Sequence, residues 1–124
     1  MEALKIEATI DTPFILMDPE KGNIEISGKS YPEDTLEFYA PVLKWMNDYC
    51  QNPQNQSSLI FKLDYFNSSS YKPILDMILK FEELKNKNYT ASIEWHYKNG
   101  DIDMRDAGEE FSEIVNIPFS YFIF

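Results

Sequence analysis

Cysteine and histidine are nearly absent from this sequence: its 124 residues hold one of each, Cys50 and His96. A lone cysteine cannot close a disulfide within the chain, and one Cys with one His falls short of a zinc site. Basic residues are scarce as well. Eleven Lys and Arg face 21 Asp and Glu, a formal net charge of −10. A field of that sign repels phosphate backbones and anionic lipid, so neither nucleic acid nor a membrane is expected as a partner. Cationic protein surfaces suit it better. No apolar run approaches the ~20 residues needed to cross a bilayer. Met1-Glu2-Ala3-Leu4-Lys5 lacks the basic start and apolar stretch of a secretory signal, so a cytoplasmic protein is expected. Four glycines and seven prolines are too few for a collagen-like or low-complexity chain.

Enzyme signatures are missing too. The chain contains no G-x-x-x-x-G-K-[ST], G-x-G-x-x-G, H-E-x-x-H or G-x-S-x-G. His96 sits among aromatics, where a structural role is more common than a general base. Cys50 falls on an apolar helical stripe and reads as a small core residue. Asp101, Asp103, Asp106, Glu109 and Glu110 lack the ligand order and glycine of a calcium loop and read as a solvated helix face. No cofactor and no metal is implied.

What the chain does have is 44% apolar and 15% aromatic residues, ample for the core of one domain over residues 1–124. Residues 4–10 alternate with period two, as a half-buried strand does. Residues 14–27 read as a β-hairpin around Asp18-Pro19-Glu20-Lys21-Gly22-Asn23. Ser30-Tyr31-Pro32-Glu33 is a capping-box pattern predicting a helix start. Phe38, Val42, Trp45 and Tyr49, with Tyr39, Leu43, Met46 and Cys50, continue at helical spacing, and Pro41 predicts a kink or restart there. Residues 58–66 form the most strand-like run, apolar enough to predict burial on both faces.

A helix follows from Tyr71-Lys72-Pro73, with Ile74, Leu75, Ile78, Leu79 and Phe81 inward. Residues 89–97 form an aromatic, β-branched strand. Residues 101–116 form a helix with Met104, Phe111 and Ile114 inward, and 119–124 a last strand. The order β-β-β-α-β-α-β-α-β implies an α/β fold: an open mixed sheet packed with helices, opened by an antiparallel hairpin.

Asn67-Ser68-Ser69-Ser70 stands between a strand and a helix. One serine there is expected to cap the helix by accepting a first-turn N–H. Capping needs one residue, and the tract supplies three hydroxyls and an amide at the carboxyl end of a strand, where ligand and partner sites tend to fall. Capping alone and capping plus function both remain open from spacing. A phosphoryl group there would add roughly −1.5 to −2 charges beside a helix N-terminus, which tolerates them, while obstructing any partner docked over that end.

Ser30-Tyr31-Pro32-Glu33, Asp64-Tyr65-Phe66-Asn67-Ser68-Ser69-Ser70, Trp95-His96-Tyr97 and Asp103-Met104-Arg105-Asp106-Ala107-Gly108-Glu109-Glu110-Phe111 together resemble the SiaC family of bacterial regulatory phosphoproteins, in order and over nearly the whole chain. The resemblance implies a STAS-like (anti-anti-sigma-like) fold and a non-enzymatic switch. It implies a kinase that phosphorylates a hydroxyl of the Asn-[Ser/Thr]-Ser-Ser turn and a metal-dependent phosphatase that reverses it. The unmodified form is expected to bind and activate a diguanylate cyclase. Carried onto this chain, the acceptor is Ser68, with Ser69 as the alternative. Asn67 and Ser70 would shape the turn, and Asn67, Ser69, Ser70, Tyr71 and Lys72 would contribute to docking. Two rival readings share the fold: an antagonist of an anti-sigma factor, and a small-ligand protein or enzyme using the strand-end crevice with His96 and a nearby carboxylate.

Overall fold

The computed structural model describes all 124 residues. A six-stranded sheet runs in chain order: β1 (Leu4–Ile6), β2 (Phe14–Asp18), β3 (Asn23–Ser30), β4 (Gln56–Phe66), β5 (Thr90–Tyr97) and β6 (Phe119–Ile123). β1, β2 and β3 pair antiparallel, and β3 to β6 pair parallel. Three helices make the crossovers: α1 (Thr35–Gln51), α2 (Tyr71–Asn86) and α3 (Ile102–Ile114). This is the α/β mixed sheet with an N-terminal hairpin that the sequence predicts. Gly22 takes φ +68 in the hairpin loop, where a Cβ would lie 2.6 Å from the Gln56 carbonyl oxygen.

Sequential order with crossovers of one hand places every helix on the same side of the sheet. The register agrees: Ile15, Ile26, Phe61 and Trp95 align in one row and Met17, Ile24, Leu59 and Ile93 in another, all fully buried. They share one core with Tyr39, Val42 and Met46 of α1, Ile74, Ile78 and Phe81 of α2, and Phe111 of α3. The opposite face carries Glu25, Ile60 and Glu94, then Ser27, Lys62 and His96, none fully buried. The expectation that β4 is covered on both faces is therefore corrected: Leu59, Phe61 and Leu63 are buried, while Ile60, Lys62 and Asp64 are only partly so.

Local chemistry explains the other departures. β1 ends at Ile6 rather than at residue 10, because Thr9 Oγ1 accepts the Thr12 N–H at 3.0 Å and bonds Asp11 at 2.9 Å. Such side-chain turns compete with a ladder. Ser30 belongs to β3, opposite Phe66, so it caps no helix. Asp34 caps α1 instead, accepting the Glu37 N–H at 3.0 Å. α1 neither breaks nor restarts at Pro41: that residue lies on the exposed side, where water can bond the carbonyl left without a donor. On α2, Met77 and Leu84 are buried and Leu79 is 38% exposed. On α3 the inward face is Met104, Gly108 and Phe111, which leaves Ile114 outside.

Candidate functional site

β4 delivers the chain to Asn67 in extended conformation, and Ser68–Ser70 forms a 3-10 turn that runs directly into α2 at Tyr71. The cap is not a serine. Asn67 Oδ1 accepts the Ser70 N–H at 3.1 Å, the Ser70 hydroxyl at 2.7 Å and the Ser69 hydroxyl at 3.1 Å. An amide carbonyl offers two lone pairs on a longer stem, so one side chain gathers the whole turn.

The three serines differ sharply in surroundings. Ser70 is fully buried, its Oγ 2.9 Å from Ser30 Oγ and 3.0 Å from the Ser30 carbonyl oxygen. Ser30 Oγ in turn bonds the Tyr39 hydroxyl from α1. Burial pushes the Tyr39 phenol above its ordinary range, against the smaller opposing effect of the Ser30 and Ser70 hydroxyls. Ser69 is exposed, but its Oγ lies 2.7 Å from Thr35 Oγ1 at the start of α1. Ser68 is exposed, and its hydroxyl makes no hydrogen bond within the protein.

Beside the turn, the first turns of α1 and α2 enclose a groove of about 330 Å³ lined by Thr35, Leu36, Leu43, Ser69, Lys72 and Asp76 among others. Leu36 is 84% exposed at its rim. The groove continues along the two helices past Leu43 and Asp76 to Leu79 and Glu83. Lys72 pairs with Asp76 at 3.1 Å on the surface. Tyr71 is stacked on Phe111, ring centroids 4.8 Å apart, which ties the start of α2 to α3.

His96 is not part of this constellation. It lies on the helix-free face of β5, in the row Ser27–Lys62–His96–Phe122, stacked on Phe122 at 4.8 Å with Nε2 3.2 Å from Glu94 Oε1. The crevice beyond the end of β4, lined by Asp64, Tyr65, Phe66, Asp101 and Asp103, contains no histidine. Cys50 is half-buried against the core, and burial pushes its thiol up to about 11.

Residues 6–124 match the family model described as SiaC family regulatory phosphoprotein. The chain belongs to the SiaC family. Across 97% of its length it is 32% identical to an uncharacterized protein of Pseudomonas aeruginosa (strain UCBPP-PA14), of which it covers 95%. Its fold is similar to apo-SiaC from Pseudomonas aeruginosa, with a TM-score of 0.91, 31% identity and 98% of both chains covered. It is equally similar to a structure of the diguanylate cyclase SiaD in complex with its activator SiaC from the same organism. There the TM-score is 0.92, the identity 30%, and 98% of this chain and 99% of the other are covered. The open mixed sheet with three helices is thus the SiaC architecture, and no helix is long and apolar enough to cross a membrane.

Within this SiaC-family chain, sequence reading did not find Thr35 and Leu36 at the groove, nor the Ser30–Tyr39–Ser70 cluster beneath the turn. Leu36 lies off the buried stripe of α1, seven residues before Leu43 at the edge of that stripe. A leucine outside the apolar stripe, one heptad before a stripe residue, is the signal that could have marked the groove.

Proposed function

We propose that this SiaC-family chain is a cytoplasmic, non-enzymatic switch, acting as one domain over residues 1–124, in which a phosphoryl group on Ser68 decides whether a partner docks. The observation that carries this reading is the Ser68 hydroxyl itself, exposed and unbonded at the entry to a continuous helix, while Ser69 and Ser70 are engaged. Transfer of the γ-phosphoryl of ATP to Ser68 Oγ by a protein kinase breaks no internal hydrogen bond of the turn. A phosphatase reverses the modification by hydrolysis. Ser69 is the alternative acceptor and would first have to release Thr35.

The partner-facing surface is the turn and the adjoining groove: Asn67, Ser69, Tyr71 and Lys72 with Thr35 and Leu36. Ser70, being buried, supports this surface from below. The related complex of SiaD with its activator SiaC supports a diguanylate cyclase as the partner that the unmodified form activates. A dianion at Ser68 would raise the desolvation cost of docking while the orphan N–H groups of the helix start hold it in place. The test is to incubate the protein with its kinase and ATP and map the modified residue by fragmentation mass spectrometry. Incorporation at Ser68, abolished in Ser68→Ala, is expected. Modification elsewhere with Ser68 untouched overturns the assignment.

A further inference from the structure

β6 lies at an edge of the sheet without the protections that edge strands usually carry. An edge exposes a row of unpaired N–H and C=O groups, commonly blunted by charge, proline, a bulge or brevity. The opposite edge obeys that rule: β1 has three residues with Lys5 at its centre. β6 has five, and no charged residue occurs from Val115 to Phe124 in a chain that is 26% charged. Tyr121, Phe122, Ile123 and the adjoining Phe124 are 39, 43, 60 and 46% exposed.

The register identifies the free groups. Phe119, Tyr121 and Ile123 stand opposite Ile93, Trp95 and Tyr97, with the Ile93 N–H donating to the Pro118 carbonyl and the Phe124 N–H to that of Tyr97. In such a parallel ladder the even-numbered residues of β6 bond β5. The N–H and C=O groups of Phe119, Tyr121 and Ile123 therefore face outward.

We propose that this edge joins two copies of the chain, β6 pairing antiparallel with β6 of the second copy about a two-fold axis beside Tyr121. The three outward residues are spaced symmetrically around Tyr121. One axis therefore sets Tyr121 against its own counterpart and Phe119 against Ile123 in both directions, for roughly six backbone hydrogen bonds. A strand without charge offers nothing to select a cationic partner, whereas a second copy brings an equally uncharged strand. The two chains carry −10 each, so their bodies repel, and salt that screens this repulsion strengthens the pair.

Analytical ultracentrifugation of the full chain at rising concentration, in low and in high NaCl, tests the proposal. The weight-average mass is expected to climb from 14.6 kDa toward twice that value, and to climb further at high salt. Tyr121→Lys, placing like charges face to face across the axis, is expected to restore the monomer. Ile123→Lys serves as a second variant, each checked for an unchanged circular dichroism melt. In the unmodified chain, hydrogen exchange at Tyr121 and Ile123 is expected to slow as concentration rises. A mass fixed at 14.6 kDa, a dimer that survives both substitutions, association weakened by salt, or edge amides indifferent to concentration overturns it.

Discussion

Ser68, Ser69 and Ser70 are one residue type in three environments, and the environment decides what each can do. Ser68→Ala removes a solvated hydroxyl with no partner and is expected to change stability by less than about 0.5 kcal/mol. Ser70→Ala strips a donor and acceptor from the buried Ser30–Tyr39 cluster and is expected to cost about 1–3 kcal/mol in urea unfolding. Gly108 is a second pressure point. A Cβ there would run into the Trp95 indole, whose Nε1 donates to the Met104 carbonyl at 2.9 Å on the same helix. Gly108→Ala gains about 1 kcal/mol of helix propensity and loses about 1–3 kcal/mol to overpacking, so net destabilisation is expected. Tyr39 and Cys50 lower stability at alkaline pH. Burial raises both pKa values, Cys50 from 9.0 to about 11, so the unfolded chain releases these protons first. Their contribution to stability is full below about pH 9 and falls as pH rises through 9–11 and beyond. Urea midpoints measured from pH 7 to 11 should show this decline, and Tyr39→Phe and Cys50→Ala should flatten it.

At the scale of elements, the entry to α2 rests on Asn67 rather than on any serine. Asn67→Ala withdraws the acceptor of one N–H and two hydroxyls together. It is expected to lower stability by about 1–2 kcal/mol, with a matching fall in melting temperature. This explains how far the elements were legible. Period-two and helical spacing marked the strands and helices, because a one-sided core imposes those spacings on every element that touches it. Caps were not legible to the same degree. Ser30-x-x-Glu33 fits a capping box, yet the strand ladder claims Ser30 and the core claims its hydroxyl, which leaves Asp34 to start α1 four residues later. Ile114 falls outside for a related reason: the spacing of Met104, Gly108 and Phe111 leads to half-buried Val115, and a glycine on the inward face is invisible to a hydrophobic pattern.

Across the whole molecule, the one-sided sheet is what turns a local motif into a surface. Because α1 and α2 share one face, the start of α1 comes beside the end of β4, and Thr35 meets Ser69 across 34 residues of sequence. The Asn-Ser-Ser-Ser tract was visible as a motif, but this neighbour was not, since nothing local in the chain encodes a contact that only the crossover creates. The same packing puts the exposed Leu36 and Ser69 at one groove, with the unbonded Ser68 hydroxyl on the preceding residue of the turn, in a molecule of net charge −10. Calorimetric titration of a diguanylate cyclase with unmodified and with Ser68-phosphorylated protein, beside Ser68→Ala carried through the same kinase reaction, reads the consequence directly. Binding by the unmodified protein, at least tenfold weaker binding by the phosphorylated form, and undiminished binding by Ser68→Ala are expected. Equal affinity of the modified and unmodified proteins would contradict a switch at Ser68.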